Sequence, residues 1–258
     1  LNKLLDSKRY LLLGGDGNLG PMWAQAILQA GGEVFVLGLS VSNNQVLKSL
    51  KSEYGSSIST HDLDLTDLSW EASDFSRFGK FDGLVLNAGI DSLPGSGHTR
   101  IEDFDWSDWE NTFKVNVFGN VQFLNKMLPS LNVNSSVVVI GSIYSVVSPN
   151  LELYSHYNEN KGSVKNPAYA ASKSALISVV RQYATHLAPQ SIRVNMLSPG
   201  GVMGNQDHEF IKKFRSRVPS RELIPLENLG GHLLYLLSNY SRNLTGQNIL
   251  VDDGYSSW

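Results

Sequence analysis

Cysteine is absent from all 258 residues, so disulfides, thiolate nucleophiles and thiolate metal ligands are excluded, while the redox compartment is left undecided. Positive charge is not in excess either: 21 lysines and arginines face 24 aspartates and glutamates, for a net charge of -3. With a pI near 6.1 the chain carries no basic footprint, and neither nucleic acid nor an anionic membrane surface is expected as a partner. No apolar run reaches the length of about 18 residues needed to span a bilayer, and no secretory hydrophobic segment is present. The chain therefore reads as soluble and cytoplasmic, with a few native residues expected to precede Leu1. His98, His186, His208 and His232 lack carboxylates at ligand-like spacing, so no metal is expected. Internal repeats, linkers and low-complexity runs are also missing, which points to one domain over 1–258.

What is there begins with a short apolar run, Arg9–Leu13, which enters the turn Gly14-Gly15-Asp16-Gly17-Asn18-Leu19-Gly20. A helical pattern from Met22 to Ala30 follows, Gly31-Gly32 stops it, and Glu33–Leu37 reads as the next strand. Strand, glycine-rich turn and helix in that order make a pyrophosphate cradle. Missing side chains let backbone and phosphate approach, and the helix N-terminus faces the anion. Further apolar strands at 81–86, 136–141, 191–196 and 248–251 alternate with helical patterns at 108–130, 168–188 and 228–238. That alternation argues for a parallel sheet covered on both faces.

Tyr169 and Lys173 stand four positions apart in Tyr169-Ala-Ala-Ser-Lys173, on one face of a helix. An ammonium held beside a phenol favours the phenolate, so the tyrosine pKa is expected to fall from about 10 toward working pH. A tyrosine so tuned can pass protons to and from a substrate oxygen.

Taken together and in order, these features resemble the single-domain short-chain dehydrogenase/reductase family over nearly the whole chain. The glycine turn is followed by Asp64-Leu65-Thr66, Asn87-Ala88-Gly89 at a strand end, Asn116 in Val115-Asn116-Val117, and Ser142 after Val137–Gly141. Tyr169 and Lys173, then Asn195 leading to Ser198-Pro199-Gly200, then Thr245-Gly246-Gln247 through Asp252 complete the series. The resemblance implies an α/β fold, a Rossmann-type three-layer α/β/α sandwich with a doubly wound parallel sheet of about seven strands. It also implies an NAD(P)-dependent oxidoreductase that interconverts an alcohol and a ketone.

On that resemblance Tyr169 is the general acid in reduction and the base in oxidation. Lys173 lowers its pKa and hydrogen-bonds the nicotinamide ribose, Ser142 holds the substrate oxygen, and Asn116 anchors a proton path. Gly14, Asp16, Gly17, Asn18, Leu19 and Gly20 would cradle the cofactor. Gly38 lies at the adenosine ribose, Asp64 and Leu65 at the adenine edge, Asn87, Ala88 and Gly89 below it, and Pro199, Gly200 and Val202 at the carboxamide. A homo-oligomer, a dimer or a tetramer by family habit, would form through the helices at 108–130 and 168–188 and the terminal strand, with Tyr255 to Trp258 beside it.

Two departures from the family pattern bear on cofactor choice. Asn18 replaces a glycine, and an asparagine tolerates positive φ, which makes it a workable substitute. Gly38 replaces the acidic residue that would select NAD, yet no cation follows it in Leu39-Ser40-Val41-Ser42, and Asp16 would repel a 2'-phosphate. NAD is weakly favoured over NADP. An aspartate installed at 38 is expected to sharpen that preference.

The stretch between Ser142 and Tyr169 is longer than the family usually has, so 149–167 holds an insertion. Its Tyr154, His156, Tyr157, Asn158, Glu159, Asn160 and Lys161 suit a hydroxylated sugar, although a solvated loop or subunit contact accounts for the same composition. The segment near 203–225 matches the family's substrate lid, and its Arg215, Arg217 and Arg221 would meet a phosphate or water. The surroundings of Ser142, the insertion and Asn205-Gln206 are similar to bacterial members linked to flagellin-glycan and nonulosonic-sugar pathways. Alternatives are a reductase of another carbonyl class, of 3-oxoacyl type, or a non-catalytic nucleotide-binding protein with this fold.

Overall fold

The computed structural model describes residues 3–67, 69–71, 75, 78–91, 100–157 and 164–257; His98, Asn158, Glu159, Asn160, Lys161 and Trp258 lie outside them. Seven parallel strands form one sheet: β1 (Arg9–Leu13), β2 (Glu33–Gly38), β3 (Ile58–Asp62), β4 (Phe81–Leu86), β5 (Leu131–Ile140), β6 (Arg193–Pro199) and β7 (Asn248–Val251). Their order is β3-β2-β1-β4-β5-β6-β7. The order reverses between β1 and β4, where open α/β sheets leave a crevice at the strand carboxyl ends. This is the doubly wound Rossmann-type sheet, with helices on both faces.

Burial along β1 explains the layering. Leu12 packs into one apolar cluster with Trp23 and Ile27 of α1 (Gly20–Gln29) and Leu233 and Leu236 of α7 (Gly230–Leu237). Its neighbours Leu11 and Leu13 point the other way, toward α4 (Asn120–Met127) and α5 (Pro167–Leu187). Alternation across a strand places successive side chains on opposite faces, so a run of leucines serves both. α2 (Gln45–Tyr54), between β2 and β3, and β3 itself have no counterpart in the pattern read from the sequence. β3 reads Ile-Ser-Thr-His-Asp, and only Ile58 is buried. As an edge strand it shows little of the apolar signal that marks an inner one.

The helical pattern at 108–130 is not one helix. α3 (Trp106–Phe113) runs into a wider π-helical turn over Lys114–Gly119 before α4 begins. The Asn120 amide donates to the carbonyls of Val115 at 3.1 Å, Asn116 at 3.0 Å and Ala88 at 2.9 Å, which satisfies acceptors that the widened turn leaves over. β5 likewise starts at Leu131, five residues earlier than 136, because a register shift against β4 lets polar residues enter the strand. Asn134 takes φ 67° there, the left-handed backbone that asparagine adopts most readily after glycine.

In the glycine turn, Gly14 has φ 77°, and a Cβ on Gly20 would lie 2.3 Å from the Gly15 carbonyl oxygen. That contact is backbone on backbone, so no rotamer relieves it. Gly20→Ala is expected to destabilise the protein by roughly 1–3 kcal/mol, read as a lower urea midpoint; an unchanged midpoint would show that the turn can move.

Candidate functional site

The crevice at the switch point gathers most of the residues singled out from the sequence. Gly14 and Gly15 both donate their backbone N–H to the Leu37 carbonyl, at 2.7 and 2.9 Å, which pins the turn to the end of β2. The Asn87 amide donates to the Gly14 carbonyl at 2.6 Å and accepts from the Trp23 indole at 2.9 Å. Strand end, turn and α1 are thereby held as one unit. Pro21 stands at the start of α1 and no side chain caps the helix, so its first amides keep their positive end toward the turn. Asn18 is exposed and has an ordinary negative φ. The left-handed backbone expected there belongs to Gly14, and Asn18 fits without strain.

At the end of β2 the structure answers the missing acid. A Cβ on Gly38 would lie 2.1 Å from Asp16 Oδ1 and 3.0 Å from Val41 Cγ1. The other Asp16 oxygen accepts from the Ser40 N–H at 2.8 Å. The carboxylate of the glycine turn thus occupies the space beside residue 38, and only glycine leaves room for it. Asp64 accepts from the backbone N–H and hydroxyl of Thr66, both at 2.8 Å, and stays exposed. The Leu65 side chain is buried against Gly119 in the core. Across the crevice, the Gly200 N–H donates to the Val251 carbonyl at 2.8 Å, and Val202 bridges Ile224, so Pro199, Gly200 and Val202 line the far end.

The second cluster sits where β4 and β5 end. Asn166 caps α5, accepting from the Ala168 N–H at 2.9 Å, and Tyr169 and Lys173 occupy the helix's first two turns. The buried Lys173 ammonium donates to the Ile140 carbonyl at 3.0 Å and lies 5.7 Å from the Tyr169 ring centre. Gly89 faces the same point, since a Cβ there would be 3.2 Å from Lys173 Nζ and 3.5 Å from Asn116 Oδ1. Asn116 is fully buried; its side chain accepts from the Ile90 N–H at 2.7 Å and donates to the Ile90 carbonyl and the Ser172 hydroxyl. Ser142 caps the short helical turn after β5, accepting from the Tyr144 N–H at 3.2 Å, and its hydroxyl also meets the Tyr169 phenol. The structure therefore brings Asn116, Ser142, Tyr169 and Lys173 together.

The expected electrostatics differ. Burial first, and the nearby Asp91 carboxylate second, push the Tyr169 phenol above its ordinary value, against the pull of Ser142. Burial lowers the Lys173 ammonium to about 8, with Asp91 opposing. The Tyr169 phenol is thus held above its ordinary value in this structure, not below it as the spacing to Lys173 suggests. The lysine spends a hydrogen bond on Ile140, and removal of both groups from water outweighs their mutual effect.

The described residues of the 149–167 segment are only partly solvated. Tyr154 is buried and its hydroxyl lies 3.0 Å from that of Tyr144, in an apolar cluster with Ile143, Phe214 and Leu223. His156 and Tyr157 both bond Asp207, the cap of α6 (His208–Arg217), and Lys213 of α6 donates to the Ser155 hydroxyl at 2.8 Å. Arg215 pairs with Glu222, Arg217 with Glu152, and Arg221 bonds the Ser216 carbonyl. All three arginines therefore have partners within the chain. Sequence reasoning passed over Lys165 and Asp91, which form an ion pair at 2.5 Å beside Tyr169; neither belongs to a motif, so no spacing marked them. Among the described residues no group of three or more histidines, aspartates or glutamates could hold a metal ion, and no helix is long and apolar enough to cross a membrane.

The profile of the family described as enoyl-(acyl carrier protein) reductase matches residues 16–256. The chain is similar to the post-translational flagellin modification protein A of Campylobacter coli, 25% identical over 98% of this chain and 99% of that one. It is also similar to the D-arabinitol 2-dehydrogenase (ribulose-forming) of Candida albicans, 26% identical over 98% of this chain and 94% of that one. Among solved structures, a short chain dehydrogenase from Leptospira borgpetersenii with bound NAD+ superposes with a TM-score of 0.81 at 24% identity, covering 98% of this chain and 94% of the other.

Proposed function

Because this chain belongs to the short-chain dehydrogenase/reductase family of oxidoreductases, we propose that it interconverts an alcohol and a ketone on a sugar-like substrate, with NAD(P) as hydride carrier. The observation that carries the proposal is the convergence of Ser142, Tyr169 and Lys173 on one point of the crevice, 5.7 Å spanning the ammonium and the phenol ring. The cofactor supplies the hydride. The residues do the rest: Ser142 orients the substrate oxygen, and the Tyr169 phenol gives it a proton in reduction or receives one in oxidation. Lys173 would offer the nicotinamide ribose the two ammonium donors that the Ile140 carbonyl leaves, and Asn116, at the π-helical turn, holds the Ile90 backbone.

Several features support the fit of the cofactor. Gly17 carries no side chain, and a Cβ there would meet nothing closer than 3.7 Å, which leaves the turn open to a phosphate. The Asp16 carboxylate beside Gly38 stands where it would accept the adenosine ribose hydroxyls and repel a 2'-phosphate, so NAD is preferred. The sugar reading is supported by the polar tyrosine pair Tyr144 and Tyr154 near the reaction point, with the 149–167 segment as substrate loop and 203–225 as lid. The D-arabinitol dehydrogenase relative suggests a first substrate. Production of NADH from D-arabinitol, followed by absorbance, tests it; binding of NADH without turnover of any polyol or ketose would overturn the catalytic reading. The description of the matching family favours a second reading, reduction of acyl-carrier-protein thioesters, which consumption of NADPH with crotonyl thioester would reveal.

The same proposal includes a homo-oligomer. Trp106 and Phe118, on the α3–α4 side, and Leu250 on the edge strand β7 are exposed, in the places where family members associate. Light scattering at micromolar concentration is expected to return a dimer or tetramer, and a species of 28.4 kDa would refute it.

A further inference from the structure

Tyr169 is flanked by two lysines, and the family's pattern accounts for one of them. Lys165, just before α5, is 8% exposed. Its ammonium lies 5.4 Å from the Tyr169 ring centre, 5.9 Å from that of Tyr144 and 5.8 Å from that of Tyr154. One of its three donors goes to Asp91 Oδ2 at 2.5 Å, and Asp91 stands just past the end of β4. Removing an ion pair from water is costly, and replacing such a pair by well-packed apolar residues is often neutral or stabilising. This pair lies beside the Tyr169 ring, and the Asp91 side chain is 35% exposed. A donor and an acceptor side by side match one hydroxyl group, which accepts from the first and donates to the second.

We infer that Lys165 and Asp91 form a substrate subsite that binds the hydroxyl on the carbon next to the reacting one, selecting a neutral vicinal diol or hydroxyketone. The inference rests on the reading of Tyr169 as the group that exchanges a proton with the reacting oxygen. Two adjacent oxygens on a diol then meet Tyr169 and Lys165 together. The charges of the pair cancel, so a carboxylate in place of that hydroxyl gains from Lys165 and loses to Asp91. Rejection of acids therefore depends on the aspartate.

Three ring compounds of one size test this with NAD+: cyclohexanol, trans-cyclohexane-1,2-diol and trans-2-hydroxycyclohexanecarboxylate. The unmodified protein is expected to prefer the diol to cyclohexanol in kcat/KM by about 10- to 100-fold, the worth of a charge-assisted hydrogen bond. In K165M that ratio is expected to collapse toward one. D91N, which keeps the lysine and the shape of its partner, is expected to raise the ratio of acid to diol by about tenfold or more, and carries the test should K165M fail to fold in a thermal melt. Equal losses on cyclohexanol and the diol in K165M, or an unchanged acid-to-diol ratio in D91N, overturn the inference and leave the pair as a loop anchor. An unmodified protein that binds NADH yet oxidises none of the three overturns the parent proposal as well, so the two failures are distinguishable.

Discussion

Tyr169→Phe is expected to slow hydride transfer by about 10²–10⁴-fold while NADH affinity stays within about twofold. Phenylalanine keeps the ring that lies near both lysines and removes only the hydroxyl that meets Ser142. Stopped-flow absorbance and fluorescence titration separate the two quantities, and unaltered turnover would sink the mechanism. Lys173→Met should differ by damaging both, since its ammonium lies 5.7 Å from the phenol ring and would hold the ribose. It should also change the pH response. The folded pKa of Lys173, about 8, lies below its ordinary 10.5 because of burial. The group's stabilising contribution is therefore complete above 10.5 and is lost as pH falls toward 8. The charged donor itself exists only below about 8. NADH affinity of the unmodified protein should weaken as pH rises through that value, and the dependence should vanish in Lys173→Met.

Gly38→Asp is expected to weaken NAD binding, the reverse of what the sequence pattern alone suggests. The new Cβ would fall 2.1 Å from Asp16 Oδ1, an oxygen whose partner is held by the Ser40 N–H, and two carboxylates would then compete for one space. Asp16→Asn should instead leave the backbone contact in place and erode the preference for NAD over NADP. The lost acceptor and the relieved repulsion together amount to roughly 2–4 kcal/mol in a partly buried site. The double variant Asp16→Gly with Gly38→Asp should restore the preference by returning the acid to the strand end. Dissociation constants for both cofactors decide it. A single Gly38→Asp variant with a sharper NAD preference would show that Asp16 moves aside, and would remove the argument for its role.

The alternation of apolar runs with glycine and helical patterns was enough to determine a parallel α/β sheet, because inner strands buried on both faces leave an unmistakable run of leucine and valine. Ordered motifs at strand ends and on one helix were enough to name the residues that gather in the crevice, since each lies at a fixed distance from an element whose boundaries are legible. What escaped depended on neighbours distant in sequence. β3 is a strand because β2 pairs with it, not because its own residues demand it. The π-helical turn at Asn116 exists because Asn120 can serve the carbonyls it leaves. Asp16 fills the space at Gly38 across 21 intervening positions, and Asp91 meets Lys165 only once β4 and α5 are packed. Even the direction of the tyrosine's pKa shift depends on tertiary structure. Spacing shows that a lysine is near, but burial and an unsuspected carboxylate set which effect prevails.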